Sequence, residues 1–302
     1  MSQLPPRPRR VIDAHHHIWD LANDLPWLKH ERVPFRYGDY SAICRNYLPA
    51  DYRADTAGWP VTGSVYVEAE WNRALAAEES RWVAQMASET GVPSAVVAWC
   101  DFAHPDAAAL LAAHAAVPIV RGVRHKPAAA ASPQDARRGA PGSMDDPAWR
   151  AGYARLADHG LSYDLQTPWW HLDAAAALAR DVPGTQIIVN HTGLPADRSP
   201  EALAAWRQAL EAAAAEPNIA LKISGIGRPG LPWTVEANAP VIRDAIAIFG
   251  IDRAMFASNF PVDGLVGDFD TIFSGFLAAT ADRSETERDW LFHDNAVRFY
   301  RL

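Results

Sequence analysis

Eight short runs rich in β-branched residues alternate with alanine-rich stretches, and this alternation is the feature that most limits how the chain can fold. Each run has the length of a strand, and the longer stretches between them are strong helix formers. The stretch 73–91 closes on Gly91, and the stretch 199–218 starts with Ser199 as a helix cap. The predicted strands cover residues 11–15, 64–70, 94–100, 118–125, 161–166, 186–191, 219–225 and 253–260.

Eight strand–helix units in one chain favour a (β/α)8 TIM barrel of the α/β class. The alternative is a doubly wound open sheet, which the same alternation allows. No composition change marks a domain boundary, so residues 1–302 are predicted to form one barrel domain. The low-complexity stretch 126–146 follows the fourth predicted strand and would form a loop on the catalytic face, as a candidate lid.

The net charge and the apolar stretches of the chain limit which partners the protein can bind and where in the cell it is expected. Thirty-six acidic against 28 basic residues give a net charge of -8, which argues against nucleic-acid binding. The N-terminal residues lead into no apolar signal segment, and the apolar stretch 107–117 is too short to cross a bilayer. Cys44 and Cys100 form no disulfide framework. We therefore expect a cytoplasmic protein with a small-molecule substrate and no membrane partner. Its 12 tryptophans leave room for an interface in a homo-oligomer.

Three consecutive histidines end the first predicted strand, in "VIDAHHHIWD". His15 and His17 are two residues apart, so their side chains lie on the same face of an extended strand. His16 then points the other way and is predicted to be structural. Two neutral imidazoles at this spacing can bind one divalent metal ion such as zinc.

Charged residues mark the second and fourth predicted strands. Glu68 and Glu70 share one face of the second strand. Arg121 and Arg124 lie on the fourth strand, and Lys126 follows it. An arginine near a strand end can hold a substrate carboxylate through two hydrogen bonds, so Arg121 and Arg124 are candidate substrate-binding residues. Salt bridges within the barrel are the alternative.

Aromatic and amide side chains mark the later strand ends. Trp169 and Trp170 follow the fifth strand and would either wall a sugar-sized or aromatic ligand or cap the barrel. His191 ends the sixth strand, and Asn259 ends the eighth. Active sites of such barrels lie where the strands end, so His191 is predicted to belong to the same site as His15 and His17.

The segments "IDAHHHIWD", "VRGVRH", "IIVNHTGLP", "LKISG", "FASNFPVD" and "DNAVRFYRL" together resemble the amidohydrolase superfamily. More narrowly, they resemble the amidohydrolase 2 group, which contains sugar lactonases and 2-pyrone-4,6-dicarboxylate lactonase. The resemblance maps the paired histidines of the group onto His15 and His17 and its strand-six histidine onto His191. The usual strand-eight aspartate, a general base, falls on Asn259. Gln166 lies near the place of the strand-five histidine, so a binuclear metal site is not expected.

The resemblance implies that water attacks the ester carbonyl of a sugar or dicarboxylate lactone. His15, His17 and His191 would polarise that carbonyl, or would do so through one zinc or manganese ion held by His15, His17 and Glu68. Metal-independent catalysis is the alternative, since some lactonases of the group need no metal. With an amide at position 259, the base would be Asp263 or Glu68. Decarboxylation, another carbonyl hydrolysis and a non-catalytic binding protein remain as competing functions.

Overall fold

The computed structural model describes residues 4–302, and within them eight parallel strands form one sheet whose order follows the chain. The strands are β1 Val11–His16, β2 Val61–Val67, β3 Ala95–Trp99, β4 Val120–His125, β5 Ser162–Leu165, β6 Ile187–Val189, β7 Ile219–Ile223 and β8 Ala254–Phe256. The chain after β8 returns to β1, where the amide of Asn259 donates to the carbonyl of His15 and the amide of His17 donates to the carbonyl of Phe260, both at 2.7 Å. The sheet is therefore a nearly closed barrel. The barrel prediction is confirmed, and a doubly wound sheet is excluded.

Helices follow the strands and cover the outside of the barrel. They are α1 Pro26–Lys29, α2 Pro49–Thr56, α3 Ala76–Thr90, α4 Ala107–Ala115, α5 Pro147–Ala154, α6 Leu172–Asp181, α7 Pro200–Ala214, α8 Val235–Phe249, α9 Phe269–Ala279, α10 Glu285–Asp289 and α11 Asn295–Tyr300. The predicted helix ends are observed. Gly91 ends α3 with a left-handed φ of 76°, which favours glycine. The Ser199 hydroxyl accepts a hydrogen bond from the amide of Ala202 and caps α7.

Most strands end earlier than the sequence pattern predicts, and after three of them, β2, β6 and β8, a non-glycine residue with positive φ follows within three positions. Glu70, His191 and Asn259 have φ values of 58°, 54° and 56°. This left-handed conformation cannot continue an extended ladder. The expectation that Glu68 and Glu70 lie on the second strand is therefore wrong, because β2 ends at Val67. The side chains after these strands turn onto the rim of the barrel.

The interior of the barrel is mostly apolar, but a fully buried ion pair lies within it. Small and branched residues from alternate strand positions fill the centre, among them Ala14, Val65, Val97, Ala220 and Met255. Lys222 of β7 donates to Asp164 of β5 at 2.6 Å, and neither side chain is exposed. Asp164 also accepts hydrogen bonds from Asn190 and from the hydroxyl of Tyr300, each at 2.9 Å. The C-terminal helix α11 thus reaches the charges in the barrel.

The glycine at position 152 sets the distance between α5 and the loop after β3. A Cβ atom at Gly152 would lie 1.9 Å from the carbonyl oxygen of Phe102. Because the clash is with backbone, no side-chain rotation relieves it. We expect Gly152→Ala to lower the free energy of unfolding by about 3 kcal/mol, measured by urea denaturation. Gly184→Ala is the control, because nothing lies within 4 Å of its added Cβ atom. Equal stability of the two variants would contradict this account.

The tryptophans are packed inside the molecule. All 12 belong to the described residues, and each is buried or partly buried. They therefore give no support to a subunit interface, and the homo-oligomer stays a prediction. Among the helices of residues 4–302, none has both the length and the apolar character needed to span a bilayer.

Candidate active site

A cavity of about 230 Å³ opens at the carboxyl ends of the strands, and we call it the first cavity. Its walls include residues that end or directly follow six different strands: His17, Glu68, Arg124, Gln166, His191 and Asn259. At this face of a parallel barrel, the carboxyl ends of all the strands meet, and residues that are far apart in the sequence come close together. The first cavity is therefore the candidate active site.

Three predicted histidines meet at the base of this cavity. The ring of His15 lies 5.1 Å from that of His17 and 4.7 Å from that of His191, measured between ring centres. Burial lowers the pKa of all three, to about 3 for His17, and the charges of Lys222, Arg124 and other neighbours add to the effect. At neutral pH the three rings are therefore uncharged.

The hydrogen bonds of the three histidines show which of their ring nitrogens are free to contact a ligand. Nδ1 of His17 lies 2.7 Å from the carbonyl oxygen of Val67, which only accepts, so Nδ1 carries the proton and Nε2 has a free lone pair. Nδ1 of His191 lies 2.9 Å from the hydroxyl of Ser224. Both ring nitrogens of His15 are buried without a partner. His16 lies on the opposite face, where its ring stacks on Tyr52 with 4.2 Å between ring centres.

Glu68 is held between two arginines. Its Oε1 accepts from Nε of Arg124 at 2.7 Å, and its Oε2 accepts from Arg73 at 2.7 Å and from the amide of Glu70 at 2.9 Å. Burial alone would raise the pKa of Glu68, but Arg124 and Arg73 outweigh it and hold that pKa well below its usual range. Both oxygens are therefore engaged. The carboxylate of Glu68 thus serves an internal ion pair, and its role as metal ligand or base stays a prediction to which this pairing lends no support.

The two predicted arginines of the fourth strand have different positions. Arg124 lines the first cavity and is paired with Glu68, so the salt-bridge alternative describes its main contact. Arg121 lies at the start of β4, where its guanidinium donates to the carbonyl of Pro118. Three residues along a strand amount to about 10 Å and reverse the face. Arg121 therefore lies at the far end of the barrel from the first cavity. Its predicted role in substrate binding does not fit this position.

The loop after β4 and the two tryptophans after β5 pack on each other. The indole of Trp170 donates to the carbonyl of Ala130 at 3.0 Å, and the amide of Ala130 donates to His171 at 2.9 Å. Trp170 lines a neighbouring cavity of about 290 Å³, the second cavity, whereas Trp169 packs against the apolar core. The ligand-wall interpretation thus suits Trp170 alone. Of the predicted lid, 126–146, the part that lines the first cavity is Lys126.

The mouth of the first cavity is instead formed by residues 33–36, which the sequence interpretation missed. Arg36 lines both cavities; its Nη2 donates to the carbonyl of Gly225, and its Nη1 is buried without a partner. A Cβ atom at Gly225 would lie 2.6 Å from Nδ1 of His191 and 2.8 Å from Nη1 of Arg36, so the guanidinium lies close to the histidine. The signal in the sequence was "RVPFRYGDY", a loop with two arginines among aromatic residues.

Asp263 is connected to Asn259. Oδ1 of Asp263 accepts from Nδ2 of Asn259 at 2.7 Å and from the hydroxyl of Tyr37 at 2.9 Å. Burial raises the pKa of Asp263, and Arg36 opposes that rise. Within residues 4–302 no basic nitrogen lies within 4 Å of this carboxylate. Asp263 lies in the turn Val262–Leu265, behind Asn259, and is not itself among the residues that line the first cavity.

The donor set does not complete a metal site. The uncharged rings of His15 and His17 are of the type that binds zinc, and the unpartnered nitrogens of His15 fit a ligand role. However, both carboxylate oxygens of Glu68 accept hydrogen bonds from arginines. Position 259 supplies an amide, which is a poorer metal ligand than a carboxylate. Among the described residues, no group of three or more His, Cys, Asp or Glu side chains is arranged to hold a metal ion. The predicted set of His15, His17 and Glu68 therefore does not fit one.

A buried acid behind the first cavity gives a prediction about pH. Glu79 accepts from the hydroxyl of Tyr66 at 2.7 Å and from the amide of Ala69 at 2.6 Å. Burial, followed by the charge of Glu68, raises its pKa from 4.5 to about 7. The folded state thus keeps a proton that the unfolded chain loses. Stabilisation is complete below pH 4.5 and is lost as the pH rises to about 7.

We therefore expect the wild type to lose about 3 kcal/mol more unfolding free energy than Glu79→Gln between pH 4.5 and 8, since a tenfold change in proton affinity is worth about 1.4 kcal/mol. Urea denaturation of both proteins across this range measures the difference. Parallel pH curves would show that Glu79 titrates alike in the folded and unfolded chain.

Comparisons with known proteins agree over nearly the whole chain. The family model described as amidohydrolase matches residues 12–302. An uncharacterised protein of Sinorhizobium fredii, y4mH, is 41% identical over 293 residues, which are 97% of this chain and 98% of the relative. An L-fucono-1,5-lactonase of Burkholderia ambifaria is 29% identical, with 96% and 95% of the two chains covered.

Among solved structures, an amidohydrolase of Burkholderia multivorans is 27% identical, and the match covers 97% of this chain and 99% of that one. Its crystals with bound Hepes superpose with a TM-score of 0.78, and those with bound zinc superpose with a TM-score of 0.76. The similarity therefore extends from sequence to the complete barrel.

Proposed function

Because the chain belongs to the amidohydrolase family, we propose that it hydrolyses a lactone in the first cavity. The observation that carries this proposal is the set of groups at that cavity: Asn259, which contacts the carboxylate of Asp263 behind it, together with uncharged His17 and His191 and a guanidinium nitrogen of Arg36 that has no partner. A base and a positive donor near one point are what ester hydrolysis requires. The similarity to an L-fucono-1,5-lactonase supports a lactone as the ester.

Asp263 is proposed as the general base. Glu68 and Glu70 are neutralised by Arg124, Arg73 and Lys126, so Asp263 is the carboxylate at this rim whose charge is available. Burial raises its pKa, which makes it a stronger base once it is ionised. Asn259 and Tyr37 hold the carboxylate in place through its Oδ1 atom.

The proposed reaction has two steps. Water attacks the lactone carbonyl while its proton passes to Asp263, and the charge that forms on the carbonyl oxygen is stabilised by Nη1 of Arg36. The tetrahedral intermediate then collapses, the ring C–O bond breaks, and the leaving oxygen takes the proton back from Asp263. The product is the open hydroxy acid. His17 and His191 remain uncharged and are proposed to orient the substrate through their ring nitrogens.

The activity is tested with a panel of aldonolactones, aldarolactones and pyrone carboxylates, with acid release followed by a pH indicator. We expect turnover of at least one lactone, abolished in His191→Ala. A thermal shift by the same compounds without turnover would support the binding-protein alternative and overturn the hydrolase. Release of carbon dioxide from an aromatic acid would support the decarboxylase alternative.

We also propose that hydrolysis does not depend on the single zinc or manganese ion considered above, because the residues present do not complete its coordination. Dialysis against a chelator is expected to leave kcat unchanged. Metal content measured by plasma mass spectrometry before and after dialysis shows whether an ion was removed. Loss of activity that returns with zinc or manganese, but not with magnesium, would contradict this proposal.

A further inference from the structure

The second cavity adjoins the first and has a different charge balance. Arg36 and Gln166 line both cavities, and Arg198 lines the second together with apolar residues such as Trp170, Leu194 and Ile226. No aspartate or glutamate lines the second cavity among the described residues. Its two positive charges therefore face mainly apolar walls.

Arg198 is unusual because most of its donors are unused. Its Nη2 donates to the carbonyl of Ile226 at 2.9 Å, but its Nε and Nη1 are buried and have no partner. Burial lowers the pKa of Arg198 to about 10, and the charges of Arg228 and Arg36 contribute. Burying an unpaired guanidinium costs free energy, so such a group is expected to meet an anion.

Two of the three basic residues that line the first cavity are compensated, in contrast. Arg124 pairs with Glu68 at 2.6 Å, and Lys126 pairs with Glu70. Arg36 and Arg198 have no carboxylate oxygen within 4 Å among residues 4–302. The positive charge that remains for a ligand thus lies in the second cavity and at its border with the first.

We propose that the second cavity is a subsite for a carboxylate of the substrate, so that this enzyme opens lactones that carry a carboxylate distant from the ring ester. The inference rests on the proposed hydrolysis in the first cavity. Three buried nitrogens are unpartnered, Nη1 of Arg36 and Nε and Nη1 of Arg198. With Nη1 of Arg36 serving the ester oxygen, Arg198 supplies the remaining positive charge, and its free Nε and Nη1, which lie on opposite edges of the guanidinium, can each donate a charge-assisted hydrogen bond to a carboxylate oxygen.

The kinetic test compares an aldonolactone with the aldarolactone of the same sugar, in which a carboxylate replaces the terminal CH2OH group. We expect the wild type to prefer the aldarolactone in kcat/KM. Arg198→Met should reduce that preference by about 10- to 100-fold, mainly through KM, because a hydrogen-bonded charge pair is lost. Arg155→Met, at an exposed position, is the matched control and should keep the preference. An equal loss on both lactones, or an unchanged preference, would overturn the subsite.

A binding test works without turnover. Opening a carboxylated lactone yields a dicarboxylate, so glutarate serves as the probe in calorimetry. We expect glutarate to bind the wild type and the Arg155→Met protein, and to bind Arg198→Met about 10- to 100-fold more weakly. Tighter binding of inorganic phosphate than of glutarate would overturn the assignment to a carboxylate. If the lactone panel shows no activity while glutarate binds through Arg198, the hydrolase proposal fails and the anion subsite stands.

Arg198→Met should fold, since it removes a buried unpaired charge, and its melting temperature without ligand should not fall. Glutarate should raise the melting temperature of the wild type but not that of the variant. If Arg198→Met is not obtained in folded form, Arg198→Lys keeps the charge but removes the Nε and Nη1 donors, and weaker glutarate binding is again expected. Unweakened glutarate binding in Arg198→Lys would overturn the contact through the Nε and Nη1 donors.

Discussion

Asp263→Asn is expected to lower kcat by about 10²- to 10⁴-fold, the usual contribution of a general base. The amide can still accept a hydrogen bond from Tyr37 and from Asn259, so the local structure should persist. What disappears is the proton acceptor. Because burial raises the pKa of Asp263, the activity of the wild type should rise with pH through a pKa above the usual range of an aspartate.

The measurement is a pH profile of kcat and kcat/KM for a lactone that the wild type hydrolyses. The variant should lack the rising acidic limb. Asp158→Asn is the control, because Asp158 is exposed and lies in the turn that leads into β5, at the other end of the barrel. An unchanged kcat in Asp263→Asn would remove Asp263 as the base and leave the cavity histidines to be tested.

Asp164→Ala is expected to lower the free energy of unfolding by about 3–5 kcal/mol, the cost of leaving one member of a buried ion pair alone. Lys222 is unexposed and lies 2.6 Å from Asp164, so its ammonium would lose its counter-ion inside the barrel. Tyr300 and Asn190 would lose their acceptor as well. Burial already lowers the pKa of Lys222, and Asp164 opposes that effect.

Urea denaturation of the single and double variants measures the pair. Lys222→Met combined with Asp164→Leu should regain part of the loss, because no charge is then buried. The matched control is the surface pair Arg81 and Glu78, 3.0 Å apart, where Glu78→Ala should cost less than about 1 kcal/mol. Equal losses of unfolding free energy in Asp164→Ala and Glu78→Ala would contradict this account, because they would show that Lys222 does not depend on Asp164 as its counter-ion.

The barrel and part of the site could be predicted from the sequence because they depend on local patterns. Strand length, helix ends and side-chain alternation are properties of neighbouring residues, so the eight strands and the shared face of His15 and His17 followed from spacing alone. His191 and Asn259 could be assigned to the same rim because parallel strands of a barrel all end on one face.

The exact ends of the strands were harder to predict from the sequence. β2, β6 and β8 end two or three residues before Glu70, His191 and Asn259, which adopt positive φ. Glutamate gives no warning of it, and histidine and asparagine, which adopt it more often than most non-glycine residues, give only a weak one. The error at Arg121 was of a different kind, since its odd spacing from Arg124 already implied the opposite face.

Thus the sequence alone determined the barrel, the family and the place of the histidines. Only the tertiary structure decided which charges are free. Glu68 and Arg124 are 56 positions apart and neutralise each other, whereas Arg36 and Arg198 come together at the second cavity without a carboxylate partner. Pairing of charges depends on distances between residues remote in the chain, and it reverses their roles: a promising carboxylate becomes structural, and an unremarkable loop arginine becomes available to a ligand.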